Sequence, residues 1–152
     1  MRENPMFLVV EDDDDEFFLV DRALKQGIDC PALKRASDGA EAIEYLAGDG
    51  KYSDRQNFPL PNLLLLDIKM PRKNGFEVLQ WVRTQPVLQR IPVIMLSSSQ
   101  EPEDIQRAYE LGANSFITKP SYDVFSKMAT TIKEFWLNWN VYPETGGERS
   151  SV

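Results

Sequence analysis

The chain has 152 residues, a length that fits one domain of the commonest size with a single core. Its 17 basic and 24 acidic residues give a formal net charge of −7, which argues against nucleic acid or an anionic membrane as a partner. It has no histidine and one cysteine, Cys30, so a Ser-His-Asp mechanism, a His-ligated metal and an internal disulfide are excluded. No apolar run reaches bilayer length or resembles a signal peptide, so a cytoplasmic protein is expected.

Short apolar segments alternate with helical patterns along the chain. The predicted strands are Met6–Val10, Ala32–Ala36, Asn62–Asp67, Pro92–Ser97 and Asn114–Thr118. The predicted helices run from about Asp14 to Gln26, Gly39 to Ala47, about Gly75 to Thr84, Pro102 to Gly112, and Ser121 to about Asn140. This alternation predicts a single α/β domain with a parallel sheet covered by helices on both faces.

Two segments lie outside these elements. Residues Gly48–Pro61 carry glycines and prolines among polar residues, which predicts a long loop. Residues Val141–Val152 are rich in Gly, Glu and Ser, which predicts a flexible tail after a folded domain of residues 1–140.

Polar side chains follow the strands of this predicted sheet. Glu11 and Asp12 come directly after the first strand, and Asp67 ends the third. Ser97 ends the fourth strand, and Lys119 follows the fifth. In such a sheet, functional groups collect at the carboxyl ends of the strands. Because crowded carboxylates repel one another unless a cation neutralises them, the sequence predicts a cation site at this edge.

The chemistry of these groups favours Mg²⁺ and phosphoryl transfer. Mg²⁺ prefers oxygen ligands, which Asp12, Asp67 and a backbone carbonyl beyond Asp67 would supply. Asp67 is also a candidate nucleophile towards phosphorus, because phosphoryl transfer needs mainly positioning and charge neutralisation. The ammonium of Lys119 and the hydroxyl of Ser97 would stabilise the phosphoryl oxygens.

Together these residues resemble the receiver domain of two-component response regulators. That CheY-like family has a flavodoxin-like (βα)5 fold, a doubly wound parallel sheet of five strands. The resemblance spans about Met6 to Trp139 and rests on the acid pair Glu11-Asp12, Asp67 followed by Met70-Pro71 and Gly75, Ser97 after an apolar segment, and Lys119-Pro120. The long loop and the ending Phe135-Trp136-Leu137 look like the small single-domain regulators that accompany bacteriophytochrome histidine kinases.

The resemblance assigns a role to each acid. It implies that Asp67 is the phosphoacceptor and that Asp12 and Asp67 are side-chain ligands of the metal. It further implies that the backbone carbonyl of Lys69 is a ligand and that Glu11 binds through a water molecule.

The same resemblance implies a conformational switch formed by Ser97 and Phe116, and a cis peptide bond between Lys119 and Pro120. Three residues depart from the commonest pattern of the family. Glu11 stands where Asp is commoner, Ser97 where Thr is commoner, and Phe116 where Tyr is also frequent. A hydrogen bond from a switch hydroxyl at Phe116 is therefore excluded.

The function implied is that of a single-domain response regulator in a phosphorelay. It would receive its phosphoryl group from a sensor histidine kinase or a histidine phosphotransfer protein and act on a downstream protein, with no external substrate and therefore not as an enzyme. One alternative is a Mg²⁺-dependent phosphohydrolase with an aspartyl nucleophile. Such enzymes usually carry a second Asp where this chain has Lys69. Another is a docking module independent of phosphorylation, which the complete set of site residues disfavours.

Aromatic and apolar residues recur along the last predicted helix. The stripe expected to cover the sheet consists of Val124, Met128, Ile132, Phe135, Trp136 and Trp139. Its aromatic end is larger than one core face needs, so we expect a homodimer built partly by this segment, with simple packing of a long helix as the alternative. Other aromatic residues assigned to the core are Phe17, Phe18, Phe76 and Trp81.

Overall fold

The computed structural model describes residues 5–27 and 29–142. Its strands are β1 (Met6–Val10), β2 (Ala32–Ala36), β3 (Leu63–Leu66), β4 (Val93–Ser97) and β5 (Ser115–Thr118). Its helices are α1 (Asp14–Leu24), α2 (Gly39–Ala47), α3 (Gly75–Thr84), α4 (Pro102–Glu110) and α5 (Tyr122–Lys133). A 3₁₀ turn covers Gly50–Ser53, and a π-helical turn covers Glu134–Trp139. Every predicted strand and helix is present.

The strands form one parallel sheet in the order β2-β1-β3-β4-β5. The order reverses between β1 and β3, which are paired along Phe7↔Leu63 to Val10↔Leu66. A crevice at the carboxyl ends of neighbouring strands is the usual ligand site in a doubly wound sheet. The predicted flavodoxin-like (βα)5 architecture is confirmed.

Side chains of the central strands are buried on both faces of the sheet. In β1, Leu8 and Val10 point into a core shared with α2 and α3, whereas Phe7 and Val9 point into a core shared with α1 and α5. All four leucines of β3 are at most 2% exposed. The continuous apolar runs of the sequence therefore reflect strands that are covered by helices on both sides.

Side-chain caps fix where three of the helices begin. Asp13 Oδ1 accepts a hydrogen bond from the backbone of α1, and Asp38 Oδ1 does the same for α2. Asn74 and Glu77 form a reciprocal capping box at the start of α3. Asp13 and Asp38 lie within three residues of the strand before them, and Asn74 lies eight residues after β3, so each loop at the carboxyl edge of the sheet ends at a capped helix.

The predicted loop of residues 48–61 is packed against the domain. Tyr52 is buried, and its ring lies 5.0 Å from that of Phe58, centroid to centroid. The guanidinium of Arg55 donates hydrogen bonds to the backbone carbonyls of Tyr45 and Phe58 at 2.8 and 3.0 Å. An aromatic cluster and one arginine thus tie the loop to the end of α2.

The inward face of α5 differs from the predicted stripe. Phe125, Ala129 and Ile132 are buried against α1 and the sheet, whereas Val124 is 53% exposed. Of the predicted stripe, Ile132 is buried and Met128 packs partly buried against the same core, whereas Phe135 and Trp139 are exposed like Val124. Phe125 and Ala129 supply the rest of the inward face instead. Trp136 still packs against this core from the π-helical turn.

The prediction that Phe18 belongs to the core is wrong, because its side chain is 58% exposed. It lies one position beyond Phe17, which does pack against the core, and α1 turns its buried face along Val20 and Leu24. Phe76 is buried and Trp81 is partly buried, as expected.

The predicted C-terminal tail and the absence of a predicted membrane span can be compared with the structure only in part. Most of the expected flexible tail, residues 143–152, lies outside the described residues. Within the described ranges, none of the helices combines the length and the apolar character that a membrane crossing requires.

Candidate functional site

The carboxyl ends of four strands bring the predicted polar side chains to one edge of the sheet. Lys119, just after β5, reaches Glu11 after β1 with Nζ 2.6 Å from Oε1, and Asp67 after β3 at 3.3 Å from Oδ2. Ser97 ends β4, and its backbone carbonyl accepts a hydrogen bond from the Lys119 amide at 2.8 Å. The predicted meeting of these residues at the strand ends is therefore present.

Three acids at this edge are close enough to share one cation. One carboxylate oxygen from each of Glu11, Asp12 and Asp67 lies within 4.8 Å of the others. Glu11 and Asp67 are buried, while Asp12 is exposed. An all-oxygen set of this kind fits a hard divalent cation, which keeps several waters on its open side.

Lys119 is a cation that contacts two acids of this cluster and one acid outside it. Its Nζ lies 2.6 Å from Glu11, 2.7 Å from Glu16 and 3.3 Å from Asp67, and its side chain is only 14% exposed. Burial works to lower the pKa of Lys119, but the hydrogen bonds to Glu11 and Glu16 outweigh it and raise the pKa above its ordinary value. The lysine is therefore charged whenever the protein is folded near neutral pH.

Glu11 is the most deeply buried of the acids. Burial raises the pKa of Glu11 to about 7, Lys119 opposes that rise, and the charge of Asp67 adds to it. The backbone carbonyl of Glu11 accepts two hydrogen bonds from Arg35, at 3.1 and 3.0 Å, and Arg35 also pairs with Asp14 at 2.8 Å. A second cation thus holds the acidic loop from the side of β2.

Sequence reasoning missed both Glu16 and Arg35. Glu16 stands in a run of acids at the start of α1, a pattern that a solvated helix terminus shows equally well. Arg35 is one charged residue in a short strand. Their partners become visible only when distant parts of the chain are brought together.

The backbone of Asp67 is in contact with the start of α3. Asp67 Oδ1 accepts a hydrogen bond from the amide of Ile68 at 2.7 Å. A Cβ atom at Gly75 would lie 2.1 Å from the carbonyl oxygen of Asp67, which is too close for any side chain. Glycine at position 75 therefore lets the start of α3 pack directly on the backbone of Asp67.

The loop between β3 and α3 contains a strained residue. Arg72 has a φ of 66°, in the left-handed region, and it is the only non-glycine residue there among those that the structure describes. Its guanidinium binds Asp38 at 2.8 and 3.0 Å and holds the pKa of that carboxyl below its ordinary value. The ion pair ties this loop, which also carries Lys69 with an exposed side chain, to the start of α2.

Ser97 and Phe116, the predicted switch pair, lie on the same face of neighbouring strands. Phe116 is paired with Met95, two residues before Ser97, and packs partly buried against the core. Ser97 Oγ accepts a hydrogen bond from the amide of Ser99 at 3.2 Å. The amide of Phe116 donates to the hydroxyl of Tyr109 on α4 at 3.1 Å.

The expected cis peptide bond between Lys119 and Pro120 is wrong for this structure. The bond is trans, as are all the peptide bonds of residues 5–27 and 29–142. Trans is the lower-energy form of a bond that precedes proline. In this form the Lys119 side chain already reaches the acids described above.

The fold and the acidic edge define an α/β protein with an aspartate and a lysine at the switch point of a five-stranded parallel sheet. The family model of the response regulator receiver domain matches residues 7–130. The chain belongs to the response regulator receiver domain family, a family of signalling proteins.

Three relatives make the match more specific. Response regulator Rcp1 of Synechocystis sp. is 38% identical over 140 residues, covering 91% of this chain and 92% of that protein. The crystal structure of the phosphorylated cyanobacterial phytochrome response regulator RcpA has a TM-score of 0.86 at 34% identity and covers 93% of this chain and 99% of its own. The bacteriophytochrome response regulator AtBRR has a TM-score of 0.73 at 37% identity, with coverages of 94% and 100%. The resemblance found in the sequence is confirmed.

A metal-bound structure exists for one of these relatives. The Mn²⁺-bound form of Rcp1 has a TM-score of 0.82 at 36% identity and covers 91% of this chain and 99% of that one. The acid cluster of Glu11, Asp12 and Asp67 is consistent with a divalent cation in this chain as well.

The strain at Arg72 leads to a prediction about stability. Arg72→Ala removes the ion pair with Asp38 and keeps a Cβ atom in the left-handed region, whereas Arg72→Gly removes the same ion pair and relieves the strain. We expect the glycine variant to be more stable than the alanine variant by about 1 kcal/mol, as measured by urea unfolding. Equal stabilities, or a more stable alanine variant, would mean that the backbone at Arg72 is not left-handed in solution.

Proposed function

We propose that this chain is a single-domain response regulator in which Asp67 accepts a phosphoryl group from a histidine kinase or a histidine phosphotransfer protein. The observation that carries this proposal is the placement of Asp67 between two acids and the ammonium of Lys119, at the switch point of the sheet. The family membership and the phosphorylated relative RcpA support it. The receiver domain is expected to span residues 1–140, with residues 141–152 as a tail.

The transfer is a displacement at phosphorus. A carboxylate oxygen of Asp67 forms a bond to phosphorus while the bond from phosphorus to the donor nitrogen breaks, so the phosphoryl group moves and no electrons are exchanged with a cofactor. The ammonium of Lys119 would neutralise a phosphoryl oxygen. The hydroxyl of Ser97 would donate a hydrogen bond to another.

Mg²⁺ is the proposed cofactor, and it would supply positive charge for the phosphoryl oxygens. Asp12, Asp67 and the backbone carbonyl of Lys69 are the proposed ligands, and Glu11 would act through a water. Supporting this assignment, the three carboxylates lie within 4.8 Å, and the relative Rcp1 has been seen with Mn²⁺.

Phosphorylation would be read out through Ser97 and Phe116. Movement of Ser97 towards the phosphoryl group leaves space that Phe116 fills by turning inward, because the two side chains share one face of the sheet. The face formed by α4, β5 and α5 would then change shape. The output is a change in protein contacts, with no substrate turned over.

Two alternatives are less well supported. A phosphohydrolase of the haloacid-dehalogenase kind usually has an acid where this chain has Lys69. A docking module that ignores phosphorylation has no need of the contacts that join Lys119 to Glu11 and Asp67. The proposed partners are therefore a cytoplasmic histidine kinase, of the phytochrome-linked kind by analogy with RcpA, and a downstream protein.

A homodimer is also proposed, with the C-terminal aromatic segment as part of its interface. Phe135 is 49% exposed and Trp139 is 72% exposed, which is a large apolar surface for one short turn. Val141, two residues after Trp139, is 90% exposed. A self-complementary patch of this kind would suit a symmetric dimer.

The test of the central proposal is phosphorylation by a small phosphodonor such as acetyl phosphate. The wild-type protein should be labelled only when Mg²⁺ is present, and hydroxylamine should cleave the label as expected for an acyl phosphate. Asp67→Asn should lose at least about 90% of the labelling, whereas Asp49→Asn, at an exposed acid after α2, should keep it. Labelling of the Asp67→Asn variant at the wild-type level would show that Asp67 is not the phosphoacceptor.

Removal of the metal should change stability through the acid cluster. At a Mg²⁺ concentration about 100 times its dissociation constant, the free energy of unfolding should rise by about 2.7 kcal/mol. Asp12→Ala should abolish this gain and raise the metal-free melting temperature, because one repelling charge is gone. Asp15→Ala serves as the control and should keep the gain. An unchanged Mg²⁺ response in the Asp12→Ala variant would place the ion elsewhere.

The dimer is tested by sedimentation of the full chain. Trp139→Ser should shift the protein towards the monomer and weaken dimerisation at least about tenfold, because this exposed ring would lose its apolar partner. Val87→Ser, at an exposed apolar residue elsewhere, should leave the dimer intact. A wild-type protein that stays monomeric at high micromolar concentration, with and without a phosphoryl analogue, rules the dimer out.

A further inference from the structure

Glu16 holds the lysine of the site from outside the acid cluster. It lies in the first turn of α1, and its Oε1 is 2.7 Å from Lys119 Nζ, closer than the 3.3 Å between Lys119 and Asp67. The cap residue Asp13 accepts a hydrogen bond from the Glu16 amide at 2.9 Å. That bond fixes the turn and with it the position from which the Glu16 side chain reaches the lysine.

The number of hydrogen-bond donors on Lys119 limits what the site can do. A lysine ammonium has three N–H donors, and Glu11, Glu16 and Asp67 provide an acceptor for each of them. A phosphoryl oxygen on Asp67 can take over the donor that faces Asp67, but a closer approach of Lys119 to that group requires the lysine to leave Glu11 or Glu16.

Burial decides whether Glu11 or Glu16 releases Lys119 more easily. The Glu11 side chain is only 4% exposed, so a loss of its cation would leave a buried charge without compensation. The Glu16 side chain is 44% exposed, so water can replace the ammonium there at little cost. Of the bonds to Glu11 and Glu16, the one to Glu16 costs less free energy to break.

We propose that Glu16 is a positioning residue that competes with a phosphoryl group on Asp67 for the ammonium of Lys119 and releases the lysine when that group arrives. The inference rests on the proposed function, since it assumes that Asp67 is the phosphoacceptor. It gives the first turn of α1 a part in the balance between the two states, because a contact present in only one state shifts the equilibrium towards that state.

The experiment measures how tightly the full chain binds beryllofluoride, a non-covalent phosphoryl analogue, in the presence of saturating Mg²⁺. Glu16→Gln keeps the shape of the side chain and removes the charge that competes for Lys119. It should bind beryllofluoride about three to ten times more tightly than the wild type. Glu16→Asp keeps the charge but shortens the side chain by one methylene, and it should also bind more tightly because the contact with Lys119 is lost.

The control separates contact from net charge. Asp15→Asn removes one charge from the same turn of α1, and among the described contacts of Lys119 none involves Asp15. Its beryllofluoride affinity should stay within about twofold of the wild type. The affinity for Mg²⁺ alone should change equally in Glu16→Gln and Asp15→Asn, since Glu16 is outside the acid cluster.

Each outcome bears on one of the two proposals. Equal tightening in Glu16→Gln and Asp15→Asn would mean that net charge explains the effect, and weaker binding in Glu16→Gln would mean that Glu16 assists the phosphorylated state; both overturn the inference. A wild-type protein that binds no beryllofluoride with Mg²⁺ would overturn the proposed function itself. If Glu16→Gln fails to fold, Glu16→Asp against the wild type decides the question.

Discussion

The ammonium of Lys119 is the interaction on which the site depends. Three carboxylates converge on it from the ends of β1 and β3 and from α1, at distances between 2.6 and 3.3 Å. Without a positive charge among them, acids this close would repel one another strongly, the more so because water is largely excluded. The chain thus carries its own counterion for the acids at this edge.

The surrounding structure keeps that arrangement rigid. Asp13 caps α1 and fixes Glu16, while Arg35 holds the loop that contains Glu11. Gly75 allows α3 to rest on the backbone of Asp67. Local, sequence-encoded features of helix termini therefore set the positions of charged atoms that come from distant parts of the chain, and a site preorganised in this way loses little free energy in arranging itself for a ligand.

Features that depend on residues close together in the sequence could be predicted, whereas contacts between distant residues could not. The strands β1 and β3 were predicted to within two residues because a fully buried strand reads as a continuous apolar run. The pairing of Glu16 with Lys119 spans 103 residues, and nothing in a run of acids distinguishes the one that meets a lysine. The buried face of α5 was predicted only in part, with Val124 in place of Phe125 and Ala129, because apolar side chains occur on more than one side of that helix.

The hydroxyl of Tyr109 has a consequence for the outer edge of the sheet. β5 is an edge strand, and the amide of Phe116 would otherwise be open to pairing with a strand from another molecule. The hydroxyl of Tyr109, on α4, accepts a hydrogen bond from that amide. The amide is therefore not free to pair with an added strand. A single side chain on α4 thus makes the open edge of the sheet less available for edge-to-edge pairing with another molecule.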